Sequence, residues 1–175
     1  QDAAGNSSTA QSVTLNINDL DEDPPTLTSV GLTSDNSSSG YAIVGKVVKL
    51  SFTADESIST PTVTFKSGGV DVAGTINVSN TSNNNWEATY TVNSGDTNGS
   101  VTFEISNYQD TAGNSGASVT SVTDGSTMTV DKTVPTISST SLASDNTTIT
   151  VTFSESIKSN TSIAAADFAV QVAGS

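Results

Sequence analysis

The strongest constraint on the fold of this chain is an internal repeat. Residues 109–136 read QDTAGNSGASVTSVTDGSTMTVDKTVPT, and residues 1–26 read QDAAGNSSTAQSVTLNINDLDEDPPT. Both copies open on Gln-Asp-x-Ala-Gly-Asn-Ser, pass through a Ser/Thr/Val stretch and run through acidic residues into proline. Similar starts follow, TLTSVGLTSDN from Thr26 and TISSTSLASDN from Thr136. Pro25 and Pro135 stand 110 positions apart, the length of one small β-sandwich. The chain therefore reads as a window on a tandem array. Residues 1–23 are expected to be the last strand and linker of a preceding domain, 24–133 one complete domain, and 134–175 the N-terminal part of a following one.

Inside 24–133 the apolar residues alternate with polar ones, the mark of strands with one buried face. Val48, Leu50 and Phe52 share a face, as do Val63 with Phe65, Trp86 with Ala88, Tyr90 and Val92, and Val101 with Phe103 and Ile105. Thr75 to Val78 predicts a short strand, residues 79–85 (SNTSNNN) a hairpin tip, and Val119, Val122, Met128 and Val130 a closing stretch. Seven or so short strands separated by Gly, Asn, Asp and Ser turns predict an all-β, two-sheet sandwich. Val13, Leu15 and Ile17 predict a strand before the first linker. Beyond Pro135, Ile149, Val151 and Phe153 mirror Val48, Leu50 and Phe52, and Glu155-Ser-Ile157 mirrors Glu56-Ser-Ile58. Residues 162–168 predict a helical turn, followed by a strand at 168–172.

Composition narrows the function. Only 33% of residues are hydrophobic, yet their strict alternation argues against disorder. The net charge is −13, with five lysines and no arginine or histidine. Such a surface repels nucleic acid and anionic lipid, whose binding needs Lys and Arg, and it attracts divalent cations. No apolar run approaches the roughly 20 residues of a membrane helix, so membrane insertion is not expected. Without cysteine there are no disulfides or thiolate metal sites, and without histidine the usual nucleophile–base pairs are absent. No enzymatic activity is expected. Gly40 to Lys46 matches a phosphate loop by letters, but Val47 stands where Ser or Thr is needed and a strand follows. Trp86 and Tyr90 suggest a sugar-stacking platform, yet their spacing with Ala88 and Val92 favours the core.

The succession Trp-x-Ala-x-Tyr-x-Val from Trp86, Gly-Asp-Thr-x-Gly-x-Val-x-Phe-x-Ile from Gly95, Asp-x-Ala-Gly-Asn from Asp110 and Thr-Val-Asp-Lys-Thr-x-Pro-Thr from Thr129 resembles bacterial immunoglobulin-like repeats of very large surface adhesins. Phe153-Ser-Glu-Ser-Ile157 and Ala166-Asp-Phe-x-Val170 look like a related variant. The resemblance implies an immunoglobulin-like sandwich, an extracellular or cell-surface location, a spacer role beside neighbouring repeats, and in many cases bound calcium.

Calcium takes six to eight oxygen ligands from carboxylates, amides and backbone carbonyls. The candidate ligands are Asp55 and Glu56 in an Ala-Asp-Glu-Ser turn, Asp110 and Asn114 in the repeated motif, and Asp131 before Pro135. Asp19, Asp21 and Asp23 are the candidates in the first linker. The Asp19-x-Asp21-x-Asp23 spacing imitates an EF-hand, but Pro24 replaces its glycine and Val30 its terminal glutamate. As a turn, Asp110 to Asn114 needs no ligand at all, since Asp and Asn cap their own backbone and Gly113 supplies a positive φ. The expected function is a calcium-stiffened extender segment. The alternatives are a module whose loops 34–40 and 79–85 bind a glycan or protein, and a filament subunit assembled by strand exchange.

Overall fold

The structure, a computed structural model, describes residues 2–7 and 20–158. The strand expected at Val13 to Ile17, the linker residue Asp19 and the elements expected over 162–172 lie outside the described residues. The chain divides into two compact units, residues 1–132 and 133–175.

The described residues of the first unit form nine strands: β1 (Leu27–Ser34), β2 (Tyr41–Ala42), β3 (Val47–Ala54), β4 (Thr62–Ser67), β5 (Val70–Asp71), β6 (Asn77–Ser82), β7 (Asn85–Thr91), β8 (Gly99–Ser106) and β9 (Thr129–Val130). They make two sheets, one in the order β1-β3-β7-β6 and the other in the order β2-β9-β8-β4-β5. All pairings are antiparallel except β2 with β9. β2 thus continues the chain of β1 but joins the opposite sheet. Four strands facing a sheet built around β4, β8 and β9 is the strand order of an immunoglobulin sandwich. The immunoglobulin-like, all-β fold expected from the sequence is the fold observed.

Alternation explains each long strand. Trp86, Ala88 and Tyr90 of β7 are buried while Asn85 and Thr91 are exposed, and β8 buries Val101, Phe103 and Ile105 while Ser100, Thr102 and Glu104 face solvent. Shifting either strand by one residue would turn its apolar set to water, so the register is fixed by burial. The inner faces meet in one core, with Val30, Val48, Leu50 and Phe52 from the first sheet against Phe65, Phe103, Ile105 and Val130 from the second. The rings of Phe65 and Tyr90 stand 4.9 Å apart across the two sheets. Trp86 and Tyr90 both belong to this core, which leaves no exposed stacking platform at these positions.

Two stretches differ from expectation. Residues 79–85 are not simply a hairpin tip: β6 runs through Ser82, and the reversal is confined to Asn83 and Asn84. Asn83 adopts φ 49°, which asparagine tolerates better than most residues. β6 itself is almost wholly exposed, so no apolar pattern announces it; the well-patterned β7 templates it. The closing stretch forms only the two-residue β9, with Val119 making an isolated bridge to Ile105. Between them the chain crosses to the other sheet. There the Thr123 and Ser126 hydroxyls accept the Val30 and Leu32 amides, and the Thr123 amide donates to the Val30 carbonyl.

In the second unit, β10 (Ile137–Leu142) and β11 (Ile149–Phe153) form an antiparallel hairpin. Its register copies β1 and β3: Leu27 faces Ala54, Ile137 faces Phe153, and each pair precedes a bulge. Just before them, the Asp55 amide donates to the Thr26 carbonyl and the Ser154 amide to the Thr136 carbonyl. The repeat seen in the sequence is therefore also a repeat of local structure.

Candidate functional site

The end of the sandwich that receives the linker gathers three loops. The linker ends at Thr26, β3 ends at Ala54, and β8 ends at Ser106 beside the start of β4. Ties between the loops hold this end together. The Asp55 carboxylate accepts the Thr26 amide (2.8 Å) and hydroxyl (2.6 Å), while the Ser59 amide donates to the Gln109 carbonyl (2.8 Å) and the Gln109 amide to the Ser59 hydroxyl (3.0 Å).

The Asp110 turn is a structural unit of its own. Asp110 Oδ1 accepts the amides of Gly113 (2.6 Å) and Asn114 (2.8 Å), and Oδ2 accepts the Asn114 side-chain amide (2.7 Å). Gly113 sits at φ 101°, where a side chain would be strained. The copy at the start of the chain folds the same way: Asp2 accepts the Asn6 backbone and side-chain amides, each at 2.9 Å. Asn114 has a second task, since its side-chain amide donates to the Asp21 carbonyl at 3.0 Å. The linker is thereby held against the sandwich by a motif residue.

The result is an acidic cluster. One carboxylate oxygen each from Asp21, Glu56 and Asp110 lies within 4.8 Å of the others. Asp21 is exposed, Glu56 half-buried and Asp110 buried. The lysines of the ion pairs Lys49–Glu87 and Lys66–Asp71 engage none of the three. The electrostatics of the cluster split. Partial burial, then the charges of Asp21, Asp110, Asp55 and Asp23, raise the Glu56 pKa above its ordinary value. Burial also works against ionised Asp110, but the hydrogen bonds from Asn114 and Gly113 outweigh it and hold its pKa below the ordinary value. The Thr26 hydroxyl and amide do the same for Asp55.

Of the expected ligands, Asp21, Glu56, Asp110 and Asn114 are brought together. Asp23 adjoins them, its amide donating to Asp21 Oδ1 at 3.2 Å. Asp55 is spent on Thr26. Asp131 lies at the opposite end, because Val130 pairs with Gly99 at the start of β8 while Asp110 follows the end of β8, and eight strand residues span about 25 Å. Asp19 lies outside the described residues.

At that far end the sequence reading missed two anchors. Asp96, 3% exposed, accepts the amides of Ala73 and Asn93, both at 2.8 Å. The Lys132 ammonium donates to the Ser94 and Asp96 carbonyls. A buried Asp within Ser-Gly-Asp-Thr is a turn signal, but its bond to Ala73 depends on tertiary register. A groove of about 300 Å³ elsewhere, lined by Leu32, Phe103, Val122 and Met128 together with Ser and Thr residues, contains no ionisable side chain.

The split in pKa sets a pH dependence. Without a cation, folding disfavours ionised Glu56, so stability rises as pH falls through its raised pKa, above 4.5. Asp55 and Asp110 act oppositely: their contribution is complete above 3.8 and is lost as pH falls through their lowered folded values. Metal-free protein is therefore expected to be most stable near about pH 4–5 in urea titrations across pH. A steady decline of stability from pH 7 downward would contradict this account of Glu56.

No protein-family model and no curated protein sequence matches the chain. Among solved structures, the titin M4 domain in its trigonal form is similar to it, at 18% identity and a TM-score of 0.35, over 64% of this chain and 98% of that one. The fold assignment itself rests on the strand order described above.

Proposed function

We propose that the chain is an extender segment of a large bacterial surface or secreted adhesin-like protein, built from tandem bacterial immunoglobulin-like repeats. In this reading calcium fixes each linker against the sandwich it leads into. The observation that carries it is the convergence of three carboxylates from three separate segments: Asp21 from the linker, Glu56 after β3 and Asp110 after β8.

The donor set suits calcium. All three groups offer hard carboxylate oxygens, with no nitrogen or sulfur donor, which favours calcium or magnesium over zinc or copper. A carboxylate has about four acceptor positions, and Asp110 uses three on Gly113 and Asn114, which leaves one for a cation. Asp21, Glu56 and Asp110 would hold the ion, and its charge would offset their mutual repulsion. Because one ligand belongs to the linker, binding would remove hinge freedom where a preceding repeat is attached. A spacer needs this stiffness to hold a distal domain away from a surface. The reading assigns the protein an extracellular location, neighbouring repeats as its partners and no catalysis.

The test is hydrogen exchange of the linker amides of residues 20–23 and 26, with calcium and with EDTA. Calcium is expected to slow exchange there while leaving β7 and β8 unchanged. Equal linker exchange in the two conditions would remove calcium from the proposal. A glycan array probed with the full chain tests the spacer role separately, and silence is the expected result.

A further inference from the structure

Among its described residues the first unit has four sheet edges, and three are closed or short. The outer edge of β1 is covered, its Val30 and Leu32 amides taken by the Thr123 and Ser126 hydroxyls. β2 and β5 are two residues each. The neighbouring part of β4 follows Pro61 and carries Lys66, and its Phe65 carbonyl accepts the Val72 amide. β6 is the exception. It is six residues long, pairs among the described residues only with β7, and is exposed everywhere but at half-buried Val78.

An open edge is a template for another strand, and proteins usually guard it with lysine, proline, an inward charge or a bulge. β6 contains no lysine, proline or charge, and its single irregularity lies at the turn end, between Asn80 and Ser82. The neutrality extends well beyond the strand. From Val72 to Trp86 no residue carries a charge, in a chain whose net charge is −13. Two copies repel each other over most of their surfaces, and this edge is where they can approach without juxtaposing carboxylates. Its Asn, Ser and Thr side chains are short and bond readily across a ladder.

We propose that β6 is a homotypic docking edge. Two copies of the chain pair their β6 strands antiparallel about a twofold axis, which joins two four-stranded sheets into one of eight strands. A twofold axis makes the contact self-complementary and closed, so it gives dimers rather than fibres. In a surface array it would cross-link neighbouring molecules side by side. The contact involves none of the acidic cluster and stands whether or not calcium binds there.

Sedimentation velocity on the full chain, in calcium and in EDTA, tests this. The expected result is a concentration-dependent dimer in both conditions, with slowed hydrogen exchange at residues 77–82 in the dimer. The double variant Ser79→Glu, Thr81→Glu places like charges across the axis and is expected to weaken association about tenfold or more; because Ser79 stands opposite Glu87 of β7, it also lowers the melting temperature of the monomer slightly, whereas lysine at the same position does not. Ser79→Lys, Thr81→Lys is expected to weaken it similarly, and an equal mixture of the two variants to restore dimers. A wild-type chain that stays monomeric to about 1 mM, variants that dimerise like wild type, or a lysine variant that associates more tightly than wild type would each overturn the proposal. Dimers that leave residues 77–82 unprotected would do so as well.

Discussion

Calcium at about one hundred times its dissociation constant is expected to raise the unfolding free energy of the chain by about 2.7 kcal/mol over that in EDTA, and Glu56→Gln is expected to raise stability in EDTA and remove most of that gain. In EDTA, Glu56 stands beside Asp21 and Asp110, with a carboxylate oxygen within 4.8 Å of theirs, and burial and these charges raise its pKa. Removing its charge relieves repulsion, so the variant should be more stable than wild type without metal. It also removes a ligand, so the variant should gain little from calcium. Asp110→Asn should behave differently. Asp110 holds the Gly113 and Asn114 amides, and replacing the carboxylate weakens the turn with or without metal. Denaturant unfolding of the three proteins in both conditions separates these outcomes. If the acidic groups are only solvated loop charges, Glu56→Gln would shift neither curve. An intact calcium gain in Glu56→Gln would exclude Glu56 as a ligand.

The sandwich was legible in the sequence wherever one face of a strand is buried. Val48, Leu50 and Phe52, the Trp86 to Val92 run and the Val101 to Ile105 run each state their register through alternation, and each is a strand of the core. β6 carries no such statement because nearly all of it faces water; only its partner β7 fixes it. Beyond the Asp110 turn, the stretch from Ser115 to Met128 was illegible for another reason. It is held by side chains, Thr123 and Ser126 bonding β1 and the Tyr108 hydroxyl bonding the Ala117 carbonyl, and such bonds have no period.

The candidate site was legible as a set of residues but not as a geometry. Asp21 stood out in the acidic linker, Asp110 in the repeated motif and Glu56 in the Ala-Asp-Glu-Ser turn. Which acids share one end of the sandwich depends on strand pairing. The pairing of Gly99 with Val130 sends Asp131 to the far end, and the start of β1 against the end of β3 gives Asp55 to Thr26. Counted back from Thr26 and Thr136, whose backbone bonds are equivalent, Asp131 occupies the place of Asp21. In the tandem array proposed above, Asp131 would belong to the linker leaving the sandwich and Asp110 to the end that receives one, which would account for their separation.

Gly116→Ala is expected to destabilise the chain by about 3 kcal/mol, although Gly116 is an ordinary-looking loop residue. A methyl group there would stand 1.9 Å from Cε2 and 2.4 Å from Cζ of Tyr108. That ring is 1% exposed, and a packed interior gives it little room to retreat. Either the ring or the loop must shift, and a shift in either strains the bond of the Tyr108 hydroxyl to the Ala117 carbonyl, now 2.7 Å, and the bond of the Gly116 amide to the Tyr108 carbonyl, now 3.0 Å. Tyr108→Phe loses only the first of these and should cost about 1 kcal/mol. The decisive comparison is a double-mutant cycle. In a Tyr108→Ala background the clash has no partner, so Gly116→Ala should cost little, and the difference is the coupling energy. Displacing Tyr108 also disturbs its neighbours Gln109 and Asp110, so Gly116→Ala should weaken calcium binding in a titration calorimeter without removing any ligand. A cost that persists in the Tyr108→Ala background would place the effect in the backbone of the loop rather than in the ring it covers.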